Sequence, residues 1–311
     1  MHRDTALLAV DWGSSSLRGA RLDGAGRVLE QRVFTQGVLS VAPGQFAGVF
    51  ESAFGDWRRA SGAPCLISGM AGSQQGWQET AYCACPAGFD ELAAQLSPLA
   101  QEPGCAPIAL VPGLRCDGDC TLAGLDRVPD VMRGEEVQIF GAMQITGLRD
   151  GLFVLPGTHS KWARVAAARV TGFKTYMSGE FFALLRQHSM LARSLDANAE
   201  PDSEAFARGV QRSAQGAGLL HDAFGVRTLS LFGHMDAAAL QSYLSGLLIG
   251  AEISAQSLRS GAEVILIGAP ALTTLYAQAL ALHGVGCVRL DEQATWAGLF
   301  ALSRGLGTAT P

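Results

Sequence analysis

The chain lacks an apolar run of the ~18 residues that crossing a bilayer requires, and it lacks an excess of positive charge. Its 311 residues include 23 Lys and Arg against 28 Asp and Glu, which gives a formal net charge of −5. We therefore expect neither a membrane nor nucleic acid as a partner. The first residues also lack the long apolar stretch and small-residue cleavage site of a signal peptide, so we expect a cytoplasmic protein.

Two catalytic motifs are missing as well. No G-x-x-x-x-G-K-[ST] phosphate loop occurs, and no G-x-S-x-G elbow surrounds a serine nucleophile, so a hydrolase triad from Cys65, Ser68 and His188 is disfavoured. The seven cysteines include Cys83-x-Cys85 and a second pair at 116 and 120. Their spacing could offer thiolates to a metal, but an odd count in a cytosolic chain favours small buried residues.

Two turns of small residues are present, and each follows an apolar strand. Asp11-Trp12-Gly13-Ser14-Ser15-Ser16 follows the first strand, and Pro156-Gly157-Thr158-His159-Ser160-Lys161 follows a strand at 152–155 about half a chain later. Glycine lets the backbone approach an anion closely, and hydroxyl and N–H groups can then bind its oxygens. The pair predicts two lobes that hold one polyphosphate between them.

The pattern along the chain predicts an α/β protein. Strands are expected at 5–11, 16–22 and 27–34, paired antiparallel because the links between them are short. An irregular loop is expected from about 112 to Arg133, and helices at 179–192, 202–221 and 236–259. We place the lobe boundary near Arg149–Gly151, which divides the chain into 1–149 and 150–311.

Acidic residues at two positions could carry chemistry in the first half. Asp11, at the end of a buried strand, is placed to hold Mg²⁺ through water beside phosphates, although aspartate also caps turns. Glu135 and Glu136 begin a helix and point about 100° apart, so only one could serve as a base. Both could instead be first-turn partners of the helix dipole.

The second half and the aromatic residues offer further candidates. Lys161 could supply a point charge for phosphate or a carboxylate, whereas His159 fits a structural hydrogen bond or a base. Gly268-Ala269-Pro270 after an apolar strand leaves space for a flat ring, or is a plain strand-to-helix turn. Trp77 and Tyr82 could line a pocket or pack locally.

Seven stretches of the sequence match the pattern of a known family when they are taken together. They are VDWGSSSLR (10–18), GMAGSQQGW (69–77), PGL (112–114), DVMRGEEVQ (130–138), LPGTHSKW (155–162), MSGEFFALL (177–185) and HS (188–189). In this order they resemble the 2-dehydro-3-deoxygalactonokinase family of the actin-like, sugar-kinase and hsp70 ATPase superfamily. The glycine turns are shared across that superfamily, while the stretches at 130–138 and 155–162 are specific to the family.

The resemblance implies a two-lobed actin-like ATPase (ribonuclease H-like) fold, in which each lobe is a mixed sheet with an antiparallel meander flanked by helices. The last helix would pack back on the N-terminal lobe. It also implies that ATP phosphorylates the C6 hydroxyl of 2-dehydro-3-deoxy-D-galactonate in galactose or galactonate breakdown, with ATP and Mg²⁺ bound as two lobes close.

The resemblance assigns roles to residues of this chain. Asp11 would hold Mg²⁺, and Glu135 or Glu136 would be the base. The phosphates would contact Gly13, Ser14, Ser15, Ser16, Gly157, Thr158, His159, Ser160 and Lys161, and adenosine would lie against Gly268 and Ala269. The sugar acid would contact Arg18, Gly72, Ser73, Gln74, Trp77 and Arg133, with Arg18, Arg133 and Lys161 as the cations that could bind its carboxylate.

Other activities fit the same fold. The chain could be a kinase for another keto-deoxy sugar acid, because sequence does not separate epimers, or a phosphohydrolase that resembles exopolyphosphatase. A non-catalytic nucleotide-binding regulator would need a DNA-binding segment or an interaction tail, and neither is evident. A homodimer is expected only from the frequency of homodimers among proteins.

Overall fold

Apolar residues near the N-terminus form the centre of a six-stranded sheet in the computed structural model, which describes residues 4–100, 104–117, 128–196 and 198–307. The strands are β1 (Leu7–Trp12), β2 (Leu17–Leu22), β3 (Val28–Phe34), β4 (Cys65–Gly69), β6 (Ser97–Pro98) and β7 (Ile108–Leu110). Their order in the sheet is β3–β2–β1–β4–β7–β6. β1 is antiparallel to β2 and parallel to β4, so it is an interior strand, and its apolar run Leu7–Val10 is buried.

The antiparallel meander predicted for the first three strands is confirmed, since β2 also pairs antiparallel with β3. Helix α1 (Phe46–Ser61) follows, with apolar residues at helical spacing, and packs against the sheet. Its aromatic side chains Phe50, Phe54 and Trp57 join Trp12 in one buried core.

A small sheet replaces part of the irregular loop predicted from 112 to 133. β8 (Gly113–Asp117) lies between β5 (Tyr82–Ala84), its parallel neighbour, and β9 (Pro129–Met132), its antiparallel neighbour. The loop prediction was therefore wrong at both ends of the segment, where strand pairing outweighs the Gly, Pro and Asp content. The centre of that segment, including Cys120, lies outside the described residues. The short helix α2 (Phe89–Ala93) follows β5.

The second half contains a five-stranded sheet. Its strands are β10 (Gly151–Leu155), β11 (Ser160–Ala166), β12 (Arg169–Tyr176), β13 (Glu263–Ile267) and β14 (Gly286–Leu290). Their order in the sheet is β12–β11–β10–β13–β14, which confirms the predicted pairing of the two strands after the second glycine turn, β11 and β12. β10 is parallel to β13, and β13 is parallel to β14, so these three strands end at the same edge.

The helices of the second half differ from the prediction in two places. The helix expected over 202–221 is two helices, because the chain breaks at Gly216-Ala217-Gly218, where Gly218 has a φ of +102°. The helix expected over 179–192 ends at His188 and is followed by a 3₁₀ turn, Met190–Ser194. The helices are α4 (Ser178–His188), α5 (Ser203–Gln215), α6 (Leu219–Leu231), α7 (Ala237–Ser254) and α8 (Pro270–Leu282).

Two helices pack closely through glycine. An added Cβ on Gly141 of α3 (Glu135–Thr146) would lie 1.7 Å from the carbonyl oxygen of Ala294 in α9 (Gln293–Ser303). An added Cβ on Gly298 would lie 2.0 Å from the carbonyl oxygen of Val137. The missing side chains therefore let the backbones of α3 and α9 meet, which fixes the helix that begins with Glu135.

The described chain divides into two compact units by its internal contacts. Unit 1 comprises residues 1–151, 163–174 and 292–311, and unit 2 comprises 152–162 and 175–291. The division at residue 149 remains a prediction from the sequence. Across the described ranges, no helix combines the length and the apolar character that crossing a membrane demands.

Candidate active site

The first glycine turn lies at the end of β1 and is closed by backbone hydrogen bonds. The N–H of Gly13 donates to the carbonyl of Ser16 at 2.9 Å. A second segment braces the turn from outside, since the N–H of Val38 donates to Gly13 at 2.9 Å and that of Leu39 donates to Ser14 at 3.1 Å. These hydrogen bonds make the backbone of the turn rigid. Ser14 and Ser15 are exposed, so their hydroxyls are open to solvent.

Gly37 is a residue of this turn that sequence reasoning missed. An added Cβ there would lie 2.3 Å from the carbonyl oxygen of Ser14 and 2.3 Å from the Cα of Ser15. The φ of Gly37 is −69°, so the position requires glycine for space and not for its dihedral angle. No local pattern around 35–38 signals this contact, which only the folded chain creates.

Asp11 faces Arg18 across the β1–β2 ladder, and their side chains form a salt bridge. The other terminal nitrogen of Arg18 lies 3.2 Å from a carboxylate oxygen of Glu292. Burial lowers the pKa of Arg18, but Asp11 and then Glu292 outweigh burial and hold it above its ordinary value. The guanidinium is therefore a fixed positive charge that orients the Asp11 carboxylate.

Three backbone segments of unit 1 meet beside Asp11. Gly69 has a φ of +89°, and an added Cβ would lie 2.7 Å from the carbonyl oxygen of Trp12 and 3.2 Å from Oδ1 of Asp11. Gly134 has a φ of +106°, and an added Cβ there would lie 3.2 Å from the Cα of Gly69. These glycines bring the start of α3 to the end of β1, so the predicted acids are close in the fold.

The structure distinguishes Glu135 from Glu136. Glu136 is completely buried, and its two carboxylate oxygens accept from the Gly134 N–H at 2.9 and 2.8 Å. Burial, and then the neighbouring Glu135, raise the pKa of Glu136 to about 8. Glu135 is half-buried and accepts from the N–H of Arg133 at 2.9 Å. Of the two, Glu135 alone has exposed surface.

The Arg133 side chain joins the start of α3 to the segment at Thr80 and Tyr82 within unit 1. Its guanidinium donates to the hydroxyl of Thr80 and, at 3.0 Å, to the Thr80 carbonyl, and it lies 4.3 Å from the ring centre of Tyr82. An added Cβ on Gly72 would lie 2.8 Å from both the Arg133 nitrogen and the Thr80 hydroxyl. The buried arginine therefore fixes the loop that carries the predicted sugar-acid contacts.

That loop exposes some of the predicted residues and buries others. Gln74 is exposed, whereas Ser73 is half-buried and donates its hydroxyl to the carbonyl of Met70 at 2.8 Å. The ring of Trp77 lies 5.5 Å from that of Phe50 and 6.1 Å from that of Trp12. Trp77 thus packs one side against the core and is half-buried.

The second glycine turn, in unit 2, lies against the start of α4. An added Cβ on Gly179 would lie 2.4 Å from the carbonyl oxygen of Gly157. The N–H of Glu180 donates to the carbonyl of Thr158 at 3.0 Å, and its carboxylate lies 2.6 Å from Nε2 of His159. Thr158 and His159 are exposed, so they are the side chains this turn presents outward.

Two predicted phosphate contacts face the interior instead. Ser160 has no exposed surface, and its hydroxyl donates to a carboxylate oxygen of Glu252 at 2.7 Å. Lys161 is 5% exposed, and its Nζ donates to the hydroxyl of Thr175 at 2.9 Å. Both residues already belong to β11, whose first four residues are all buried, so side chains on both faces of the strand are covered there.

Glu252 is the second functional candidate that sequence reasoning missed. It is 1% exposed and accepts from Ser160, Trp162, Ser178 and Tyr276. The sequence does carry a signal for this residue, because Glu252 is the one charged residue in the 18-residue helix α7. A lone acid in an apolar helix indicates a buried polar contact.

A cavity of about 280 Å³ opens beside the second glycine turn in unit 2. Its size approaches the lower limit of small-molecule pockets, ~300 Å³. Gly268 and Ala269 do not line it, but they lead directly into α8, whose next turns do, and Gly268 has a φ of +149°. The lining comprises Gly157, Thr158, Ser178, Gly179, Phe182, Ser245, Leu248, Ile249, Leu272, Leu275 and Tyr276.

Metal ligands are sparse in the part of the chain that the structure describes. It contains no group of three or more His, Cys, Asp or Glu side chains arranged to hold an ion. A magnesium ion at Asp11 would therefore take most of its ligands from water and from phosphate, as Mg²⁺ commonly does. The partly buried Asp11 carboxylate, in a recess that a side chain on Gly69 would fill, fits that arrangement.

The family model of 2-keto-3-deoxy-galactonokinase matches residues 11–302. The chain is 36% identical over 308 residues to a probable 2-dehydro-3-deoxygalactonokinase of Rhizobium meliloti, covering 96% of each. It is 32% identical over 282 residues to the 2-dehydro-3-deoxygalactonokinase of Escherichia coli, covering 90% of each.

Solved structures agree with these relatives. A Sinorhizobium meliloti protein assigned the same kinase activity has a TM-score of 0.86 at 35% identity, covering 96% of this chain and 99% of that one. More distant structures, with TM-scores of 0.52 to 0.50 and 10% to 14% identity, share the fold alone. They confirm the predicted actin-like ATPase fold class.

Proposed function

This chain belongs to the 2-keto-3-deoxy-galactonokinase family, also called 2-dehydro-3-deoxygalactonokinase, and from this premise we propose how its residues phosphorylate the sugar acid. It is a phosphotransferase that uses ATP and a keto-deoxy sugar acid. The acceptor is the C6 hydroxyl of 2-dehydro-3-deoxy-D-galactonate, and the product is the 6-phosphate. The observation that carries this proposal is the family match over 11–302, which includes both glycine turns.

Unit 2 supplies the nucleotide site. The cavity of about 280 Å³ is mostly apolar, with hydroxyl groups at its rim, and suits a purine ring and its ribose. Gly157 and Thr158 line it, and the exposed His159 follows them directly, so the backbone and side chains of this turn meet the phosphates. Ser160 and Lys161 support this turn from the interior.

Unit 1 supplies the groups around the reacting hydroxyl. Asp11 holds Mg²⁺ through water, and Gly13–Ser16 present N–H and hydroxyl groups to phosphate oxygens. The metal, when bound, neutralises charge on the phosphates during transfer. Arg18 keeps the Asp11 carboxylate in one orientation, because the salt bridge joins two adjacent strands.

Glu135 is the base that accepts the proton of the C6 hydroxyl. A general base must lie within hydrogen-bond reach of the proton it removes. Glu135 is half-buried at the start of α3, whereas the Glu136 carboxylate is enclosed and bound to the Gly134 N–H. We assign Glu136 to holding the turn between β9 and α3.

The sugar acid binds to the loop at 72–77 and to Arg18. Arg133 and Gly72 hold that loop, while Ser73, Gln74 and Trp77 offer polar and aromatic surface to the substrate. For the carboxylate we propose Arg18 and not Arg133. Both guanidinium groups have partners within unit 1, but Arg133 is only 9% exposed, whereas 26% of the Arg18 side chain is exposed.

The test is ADP release from Mg-ATP with 2-dehydro-3-deoxy-D-galactonate, with the gluconate epimer, and with water alone. We expect release to depend on the galactonate compound, and phosphorus NMR of the product to show phosphate on C6. Equal rates with both epimers would contradict the assigned specificity. ADP release independent of any sugar acid would contradict the kinase and favour a phosphohydrolase.

Oligomeric state, partners and location stay predictions from the sequence. The sequence predicts a homodimer, no nucleic-acid partner and a cytoplasmic location. Size-exclusion chromatography with light scattering would test the first directly.

A further inference from the structure

A single buried carboxylate in unit 2 accepts hydrogen bonds from four side chains in three parts of the chain, which are β11, the start of α4 and α8. Oε1 of Glu252 accepts from the Ser160 hydroxyl at 2.7 Å and from the indole N–H of Trp162 at 2.6 Å. Oε2 accepts from the Tyr276 hydroxyl at 2.8 Å and from the hydroxyl of Ser178. All four donors are neutral hydroxyl or indole groups, so these contacts are hydrogen bonds and not ion pairs.

Two of the donors line the nucleotide cavity, and the other two lie on β11, shortly after the turn residues that line it. Ser160 follows the glycine turn directly, and Ser178 precedes Gly179, whose backbone lies against Gly157. Tyr276 lies on α8 and lines the cavity itself, as does Ser178. Burial, and then Glu252, raise the pKa of Tyr276 well above its ordinary value, so the phenol remains a donor.

We propose that Glu252 is a positioning residue for ATP, which holds the glycine turn, the start of α4 and α8 in the arrangement that forms the nucleotide cavity. This inference rests on the proposed function. Glu252 is 1% exposed and does not line the nucleotide cavity, so it acts through Ser160, Ser178 and Tyr276 and not by touching the nucleotide. Without the carboxylate, three buried donors and the half-buried Ser178 hydroxyl lose their shared acceptor, and the three walls can move apart.

The first test is the substitution Glu252→Ala, with ADP binding measured by titration calorimetry and KM measured for each substrate. We expect the Kd for ADP and the KM for ATP to rise at least about tenfold. The KM for the sugar acid should stay within about threefold, because its contacts are in unit 1. A merely structural role would lower the folded fraction while leaving the KM for ATP unchanged.

Two further variants keep the test decisive if Glu252→Ala does not fold. Glu252→Gln retains an acceptor for Trp162, and the serine and tyrosine hydroxyls can turn to accept from the amide, so we expect ADP binding to be largely restored. Ser160→Ala removes one donor that has no exposed surface, and should weaken ADP binding about threefold or more. The matched control is Asp222→Asn, a buried carboxylate that pairs with Arg212 and should leave ADP binding unchanged.

A double-mutant cycle separates positioning from direct contact. If Ser160 acts through Glu252, the double variant should bind ADP no more weakly than Glu252→Ala alone. Additive losses would mean that Ser160 binds the nucleotide independently, and they would overturn the proposal, as would unchanged ADP binding in Glu252→Ala. Because ADP binding needs no sugar acid, a Glu252-dependent Kd without sugar-acid phosphorylation would refute the proposed function and leave this inference standing.

Discussion

Asp11 and Arg18 are directly opposite each other in the register of β1 and β2, and their side chains form a salt bridge across the two strands. The turn at 13–16 joins these strands, so the two residues that flank the first phosphate turn form an ion pair with each other. Glu292 binds the same guanidinium at 3.2 Å. The acid proposed for Mg²⁺ and the cation proposed for the substrate are therefore fixed relative to each other.

Arg18→Gln should raise the KM for the sugar acid roughly ten- to hundredfold, the size of effect expected for a lost hydrogen bond between charged groups. Steady-state kinetics with each substrate varied in turn would measure it. Glu292→Gln is the matched control, since it removes the outer partner but keeps the Arg18 charge, and should change that KM by less than about threefold. An unchanged KM in Arg18→Gln would exclude Arg18 from the carboxylate site.

Glu135→Gln should lower kcat by about 10²- to 10⁴-fold, because a general base contributes that much to proton transfer. Its affinity for ADP should remain that of the wild type. Glu136→Gln should keep kcat within about threefold, since the Glu136 carboxylate is enclosed. Loss of turnover in Glu136→Gln with normal turnover in Glu135→Gln would reverse the assignment.

The buried Glu136 also predicts a pH dependence of stability. Its pKa is raised from 4.5 to about 8 in the folded chain, so the folded state binds more protons than the unfolded state between those values. The free energy of unfolding should therefore fall as pH rises across that window. Glu136→Gln lacks this titration, so urea unfolding at pH 5 and pH 8 should show the variant gaining stability relative to wild type at the higher pH. A constant difference would contradict it.

Gly37→Ala should destabilise the first phosphate turn. The added methyl would meet the backbone of Ser14 and Ser15, and overpacking of this kind costs about 1–3 kcal/mol. We expect a lower free energy of unfolding and a raised KM for ATP. Gly48→Ala is the control, because nothing lies within 4 Å of an added Cβ there and alanine suits the helix better. Equal behaviour of the two variants would show that the turn tolerates movement.

Local patterns were sufficient for the parts of this site that lie at strand ends. Asp11 and the turn after it could be placed from the sequence because an apolar strand, an acid and small residues follow one another directly. Gly37 and Glu252 could not be placed in the same way, since their partners are distant in sequence and only tertiary packing brings them together. For Ser160, the turn pattern identified the right segment, but the direction of its side chain depends on where β11 begins.

The path of the chain has a consequence for biosynthesis. It passes between the two units four times, and residues 292–311 return to unit 1 after unit 2 is complete. α9 in this returning segment packs against α3 through Gly141 and Gly298, so the helix bearing Glu135 lacks its neighbour until then. On the ribosome, unit 1 therefore cannot complete its packing until α9 has been synthesised. A nascent chain stopped before residue 292 would expose the apolar surface that α9 covers, and chaperones could bind it.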